Sequence, residues 1–150
     1  MVARIIQLRD AVVASIAAAA IDGVTPAAAI MPIIEPADLG DGLRCEVLPM
    51  RQATKPESRS TNENHRSIQI VIQKRVIDID TEIPALIETV DQIIAAVTNA
   101  RRLPYGNKDE YATVAEVRQE PLYDREDLKE NSVFASSVVV VFADSSTAAR

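Results

Sequence analysis

A polar stretch of fifteen residues, RQATKPESRSTNENH (51–65), constrains this fold most because it separates two segments with strand-like alternation. Before it, LRCEVLP (43–49) alternates apolar and polar side chains. After it, RSIQIVIQKRVIDI (66–79) repeats isoleucine at every second position, at Ile68, Ile70 and Ile72. A period of two is typical of a strand with one buried face. The two segments therefore predict an antiparallel hairpin whose long loop covers 51–65.

Hairpin loops usually contain two to five residues, and much longer ones are commonly functional or disordered. The predicted loop is locally basic on an acidic chain, since only Glu57 and Glu63 oppose the basic residues Arg51, Lys55, Arg59 and Arg66. Two interpretations stay open. The stretch is either a disordered tip without a role, or an arm that reaches over an acidic neighbour in a homo-oligomer and becomes ordered on assembly.

The first helix is predicted over residues 2–21. Its large apolar side chains recur with helical spacing, at Ile5, Leu8, Val12 and Ile16. The same segment has the outline of a secretory signal, since arginines precede the apolar run 11–21. Asp10 at the edge of that run, together with the helical spacing, favours a folded helix.

A second helix is predicted from Thr81 to Arg101 and Arg102. Glu82 and Pro84 suit its first turn, and the two arginines suit its C-terminus. Apolar side chains follow at steps of three and four residues, at Ile83, Leu86, Ile87, Val90, Ile94 and Val97.

The remaining segments are read from their turn-forming residues and alternation. Residues 24–42 contain three prolines and two glycines, which predict an extended connector with an edge contribution from Ile30 to Ile34. Residues 112–118 and 132–143 are predicted strands, and PLYDREDLKEN (121–131) is a predicted turn and crossover.

The order α-β-β-α-β-β predicts an α+β fold, with two helices packed on one face of a mainly antiparallel four-stranded sheet and a long polar β-hairpin loop. We expect a single domain over 1–143 and a flexible C-terminal tail over 144–150. The second face of the sheet carries apolar side chains between polar ones, which favours a partner surface at Val71, Val139 and Val141.

Composition narrows the classes of function. A net charge of −6 argues against general nucleic-acid binding, which depends on neutralising phosphates. Tryptophan is absent and aromatic residues make up 3% of the chain, so no base-stacking platform is expected. No apolar run reaches the length of a membrane span. The single cysteine, Cys45, cannot pair within the chain, so the sequence gives no sign of an oxidising compartment and favours a cytosolic protein.

Catalytic and metal-binding patterns are missing from the sequence. His65 is the only histidine and lies in the polar stretch, so a nucleophile–histidine pair is not expected. Asp78 and Asp80 fit helix capping better than metal binding, and the charged run 123–131 alternates signs as a solvated turn does. We therefore expect no enzyme activity, no catalytic residue, no bound metal and no cofactor.

The sequence resembles a family of virion proteins. The segment LRCEVLPMRQATKPESRSTNENHRSIQIVIQKRV, followed by DTEIPALIETVDQI, is similar to small neck or tail-completion proteins of tailed bacteriophages and prophages, most of all the tail terminator group. The upstream IMPIIEPADLGDGL resembles the connector of that family. PLYDREDLKENSVFASSVVVVF resembles its final crossover and strand.

The resemblance implies a ring, commonly a hexamer, that ends the tail tube and joins it to the head-completion or connector protein. Genomic DNA would pass through the lumen without sequence-specific binding, and no membrane would be involved. Six copies at −6 each carry −36 formal charges, which would let DNA slide through without capture. The polar stretch is then the expected interface with a neighbouring subunit or the tube, through Arg51, Lys55, Arg59, His65 and Arg66.

Two alternatives stay open beside this hypothesis. Another neck or head–tail connector ring protein would share the same fold and polarity. A small α/β ligand-binding regulatory domain would also place helices on an antiparallel sheet, and it would require a pocket with converging polar groups.

Overall fold

The structure, a computed structural model, describes residues 3–31, 40, 42–99, 102–105, 111–119 and 122–147. At 102 and 145–147 it describes the backbone only. Within these residues the chain forms three helices and six strands. In chain order they are α1 (Arg4–Ala18), β1 (Pro26–Ala28), β2 (Arg44–Pro56), β3 (Thr61–Arg75), α2 (Ile79–Thr98), β4 (Arg102–Pro104), β5 (Tyr111–Arg118), α3 (Arg125–Asn131) and β6 (Val133–Thr147).

The strands form one mixed sheet in the order β1-β2-β3-β6-β5-β4, curved into a half-barrel. β1 is parallel to β2, and every other neighbouring pair is antiparallel. The long central strands β3 and β6 pair from Thr61↔Thr147 to Arg75↔Val133. This central pair carries both the core and the uncovered face described below.

The predicted four-stranded sheet with two helices is wrong. The structure adds β1 within the proline-containing connector, β4 where the second helix was expected to end, and α3 within the predicted turn. The added strands contain three residues each, too few to show a period of two. None of the residues of α3 is buried, so that helix has no apolar stripe. Ile30 and Met31 lie outside any strand, and residues 32–34 lie outside the described part of the chain.

The prediction of a long polar loop in the hairpin is also wrong, because most of residues 51–65 form strand. β2 and β3 pair without interruption from Arg51↔Ser67 to Pro56↔Asn62, which leaves residues 57–60 as the connecting loop. β6 continues through Thr147 and adds a third strand to this extension. The backbone hydrogen bonds between paired strands need no apolar side chain, so the pattern of apolar residues in the sequence does not predict this extension. We call residues 51–65 the strand arm.

The core lies between the helices and one face of the sheet. From α1 it takes Leu8, Val12 and Ile16, as the helical spacing predicts. From the sheet it takes fully buried side chains that include Ile68, Ile70, Ile72, Phe134, Val138, Val140 and Phe142. α1 and α2 are also linked by a hydrogen bond of 2.9 Å that Ser15 Oγ donates to the Ala96 carbonyl. None of the described helices is long and apolar enough to cross a membrane.

Candidate interaction surface

Part of each set of residues predicted to form interfaces meets on the uncovered face of the sheet, namely Arg51 and His65 with Val139 and Val141. Strand register places Arg51 opposite Ser67, Ser67 opposite Val141 and Val141 opposite Glu116. The adjacent row on the same face joins Gln69, Val139 and Arg118. Because side chains alternate across a strand, all of these point away from the helices.

A bulge in β2 shapes this face. The ladder pairs Pro49 with Ile68 and Arg51 with Ser67, so Met50 is an extra residue without a partner in β3. A second irregularity lies between Val114 and Glu116 in β5. Bulges bend strands and increase their twist. The result is a concave surface between β2 and β5.

This surface forms an open-face groove of about 370 Å³. Its lining includes the apolar side chains of Val139 and Val141 and the exposed Met50, with charged residues around them. Arg51 and His65 lie on the β2–β3 side, and Glu116 and Arg118 on the β5 side. A groove with an apolar lining and charged borders can bind an apolar side chain that has polar groups next to it.

The charged groups of the groove differ in whether they already have partners. Arg118 donates to both carboxylate oxygens of Glu116, at 2.7 and 3.0 Å, which raises the pKa of Arg118 and lowers the pKa of Glu116. His65 Nε2 lies 3.0 Å from Glu63 Oε1. The side chain of Arg51 forms no hydrogen bond or ion pair with any residue that the structure describes. Arg51 is therefore the cation of this groove that is available to an incoming anion.

Arg66 lies on the opposite face and takes no part in the groove. Its Nη1 donates to Asp144 Oδ1 at 2.6 Å and lies 3.4 Å from Tyr105 Oη. The two paired side chains are 10% and 7% exposed. The sequence alternation could have placed Arg66 on the buried face and not beside Arg51. Arg66 lies two positions before the buried Ile68, and residues two apart in a strand share a face. Its partner Asp144 is 78 positions away, which no local pattern reveals.

The other predicted interface residues lie further from the groove. Lys55 is exposed and pairs in register with Glu63, and Arg59 is exposed in the loop at the tip of the strand arm. Val71 lies on the uncovered face but further along β3, opposite Ser137. The sequence reasoning missed Met50, Glu116 and Arg118. The period of two in β5 is interrupted by its irregularity, which hides which side chains share a face.

Groups suited to metal binding or nucleophilic chemistry are few in the described residues. No three His, Cys, Asp or Glu side chains among them cluster so as to hold a metal ion. Cys45 is buried, and that burial, with a smaller contribution from the charge of Glu46, raises the pKa of the thiol to about 11. A thiol with so high a pKa is a weak nucleophile at neutral pH.

Comparison with known proteins identifies a fold and no family. No protein-family model matches the chain, and no curated protein matches it. Among solved structures, the chain is similar to one described as "Virion of native gene transfer agent (GTA) particle". The match covers 93% of this chain and 96% of the other, with a TM-score of 0.52 and 13% identity. The likeness therefore shows a fold shared over nearly the full length of both chains.

Proposed function

We propose that this chain is a structural protein of a tailed-phage-like virion, which forms a ring that ends the tail tube and joins it to the head, with DNA passing through the lumen. The observation that carries the proposal is the full-length fold likeness to a chain from a gene transfer agent virion. The match covers 93% of this chain and 96% of the other, so the likeness concerns the whole fold and not one part of it.

Two features of the surface support an assembling role. One face of the sheet is uncovered and carries half-buried valines beside charged side chains. Beyond Val47, no strand among the described residues pairs with the outer edge of β2, since β1 pairs only with Cys45 to Val47. Edges of this kind are commonly covered by a second chain. Here Pro49, Pro56 and the Met50 bulge restrict uncontrolled pairing.

Charge supports the same proposal. The chain has a net charge of −6, whereas the strand arm contains Arg51, Lys55 and Arg59 against Glu57 and Glu63. A basic arm on an acidic molecule favours contact with another copy, and an acidic lumen would repel DNA enough to let it pass.

The test is assembly on tube ends. Purified protein should form a closed ring over a concentration series in analytical ultracentrifugation. Electron microscopy should then show the ring capping purified tail tubes from the same particle. Arg51, Lys55 and Arg59 changed together to Ser should reduce capping, and the control with the exposed Arg125 and Lys129 of α3 changed to Ser should not. A chain that stays monomeric at all concentrations and ignores tube ends would rule out the proposal.

The open-face groove supports a second candidate, a ligand-binding regulatory domain. Its volume of about 370 Å³ lies within the range of small-molecule sites, and Arg51 is available to an anionic group. This candidate predicts a rise in melting temperature with small carboxylates or phosphates that Arg51→Ser abolishes. A ring without any such ligand response favours the virion protein.

A further inference from the structure

The turn between β3 and α2 exposes apolar side chains that the monomer does not use. Ile77 is 96% exposed and Ile79 is 49% exposed, although β-branched aliphatic side chains are usually buried. Asp78 and Asp80 alternate with them and are also exposed. We call residues 77–80 the isoleucine turn. It presents two exposed isoleucine side chains together with two carboxylates.

The isoleucine turn is held rigidly in its exposed position. The carboxylate oxygen Oε2 of Glu82 accepts hydrogen bonds from the backbone N–H groups of Ile77 and Asp78, both at 2.7 Å. Its other oxygen, Oε1, accepts from Lys74 Nζ at 2.9 Å. Asp78 in turn accepts from Thr81 Oγ1 at 2.9 Å. A surface fixed in this way loses little conformational entropy when it binds.

The open-face groove has the complementary features. Its Val139, Val141 and Met50 side chains offer apolar surface, and Arg51 beside them lacks an ionic partner among the described residues. On the isoleucine turn, the side chain of Asp80 likewise forms no hydrogen bond or ion pair with any described residue. Within the described residues, one copy thus presents an unpaired anion beside an exposed isoleucine, and the groove presents an unpaired cation beside apolar surface.

A single molecule cannot bring these two surfaces together. The groove lies at Ser67 in β3, and the isoleucine turn follows Arg75 at the end of the same strand. Eight residues of extended strand span about 27 Å. The contact must therefore form between molecules. It is head-to-tail when each copy places its turn in the groove of a different neighbour. Repeated head-to-tail contacts close into a ring when the rotation between subunits allows it.

We propose that the isoleucine turn of one copy docks into the open-face groove of a second copy, with Ile77 against Val139 and Val141 and Asp80 paired with Arg51. This inference rests on the proposed ring and names its subunit contact. Its other possible occupant, a small anionic ligand, is an outcome of the tests that follow.

Cysteine cross-linking tests the contact directly. Cys45 is buried with a raised pKa, so an introduced surface cysteine would be the reactive thiol of the folded chain. Ile77→Cys protein and Met50→Cys protein are mixed and oxidised. Since a disulfide needs Cα atoms within about 7 Å, a mixed dimer is expected only if the turn reaches the groove of another molecule. Ile30→Cys, at a site 64% exposed, replaces Ile77→Cys as the matched control.

A charge exchange tests the predicted ion pair. Arg51→Glu and Asp80→Arg should each weaken self-association about tenfold or more in Kd, and the double variant should regain most of the loss. Lys129→Glu with Asp91→Arg, both at exposed positions outside the strand arm and the proposed contact, is the control exchange. Sedimentation measures the dissociation constants, and circular dichroism checks that each variant is folded.

The outcomes separate this inference from the proposed function. Cross-linking of positions 77 and 50 but not 30 and 50, with recovery in the double charge variant, supports the contact. A ring that forms equally well in every variant overturns the contact and leaves the proposed function standing. A monomer that binds small anions through Arg51 overturns both.

Discussion

Arg66 Nη1 lies 2.6 Å from Asp144 Oδ1, and this ion pair joins β3 to β6 on the buried face of the sheet. Register pairs Arg66 with Phe142 and Asn64 with Asp144, so the two charges meet diagonally across the strands. The pair lies at the base of the strand arm, where the isoleucines of β3 give way to polar residues. It marks the point where apolar packing ends and polar contacts take over.

We predict that Arg66→Met lowers the free energy of unfolding by about 3–5 kcal/mol, because it leaves the buried Asp144 carboxylate without its partner. The double variant Arg66→Met with Asp144→Leu should recover most of that loss, since no buried charge then remains unpaired. Urea denaturation measures both. Arg118→Met, which breaks an exposed ion pair, is the control and should change stability little. Equal losses in the single and double variants would contradict the assignment.

The carboxylate of Glu82 should make stability depend on pH. The hydrogen bond from Lys74, followed by those from the backbone N–H groups of Asp78 and Ile77, lowers the pKa of Glu82 from 4.5 to about 2. A lowered pKa adds stability above the ordinary value, and this stability is lost as the pH falls from 4.5 towards 2.

We therefore expect Glu82→Gln to melt below the wild type at neutral pH, with a gap that narrows steadily below pH 4.5. Thermal melts from pH 7 down to pH 2.5 measure the gap, with Glu88→Gln on the same helix as the control. A gap that stays constant over this range would show that Glu82 does not hold the isoleucine turn in solution.

Cys45 should resist thiol reagents while the chain is folded. Burial, followed by the charge of Glu46, raises the pKa of the thiol to about 11, so little thiolate forms at pH 8 and reagents cannot reach it. Ellman's reagent should react slowly with the native protein and at once in denaturant. Fast labelling of the native protein would mean that β2 opens away from the core.

Deletion of Met50 should be tolerated. Pro49 and Arg51 already pair with the adjacent residues Ile68 and Ser67, so removal of the bulged residue leaves every other pair in place. Deletion of Ala53 is the control. It shifts part of the ladder by one position and sends side chains to the wrong face. We expect the melting temperature to fall much further in the second variant, and the reverse order would contradict the observed register.

Sequence patterning predicted the elements that face the core. The stripe of Leu8, Val12 and Ile16 and the alternation of Ile68, Ile70 and Ile72 report burial directly, because helices and strands repeat with fixed local periods. The same alternation also predicted that Val139 and Val141 lie on the other face of the sheet. The strand arm was not, since its residues join the sheet through backbone hydrogen bonds to other strands.

The sequence by itself determined which side chains must leave water and how often they recur along each segment. The tertiary structure decided where the strands end, which charges become buried partners and which residues share the groove. Arg51 and Arg66 are both basic residues near one end of the same hairpin, yet one faces the groove and the other pairs with Asp144. The physical reason is that strand pairing and ion pairing join residues far apart in the chain, so their energies depend on contacts that no local period encodes.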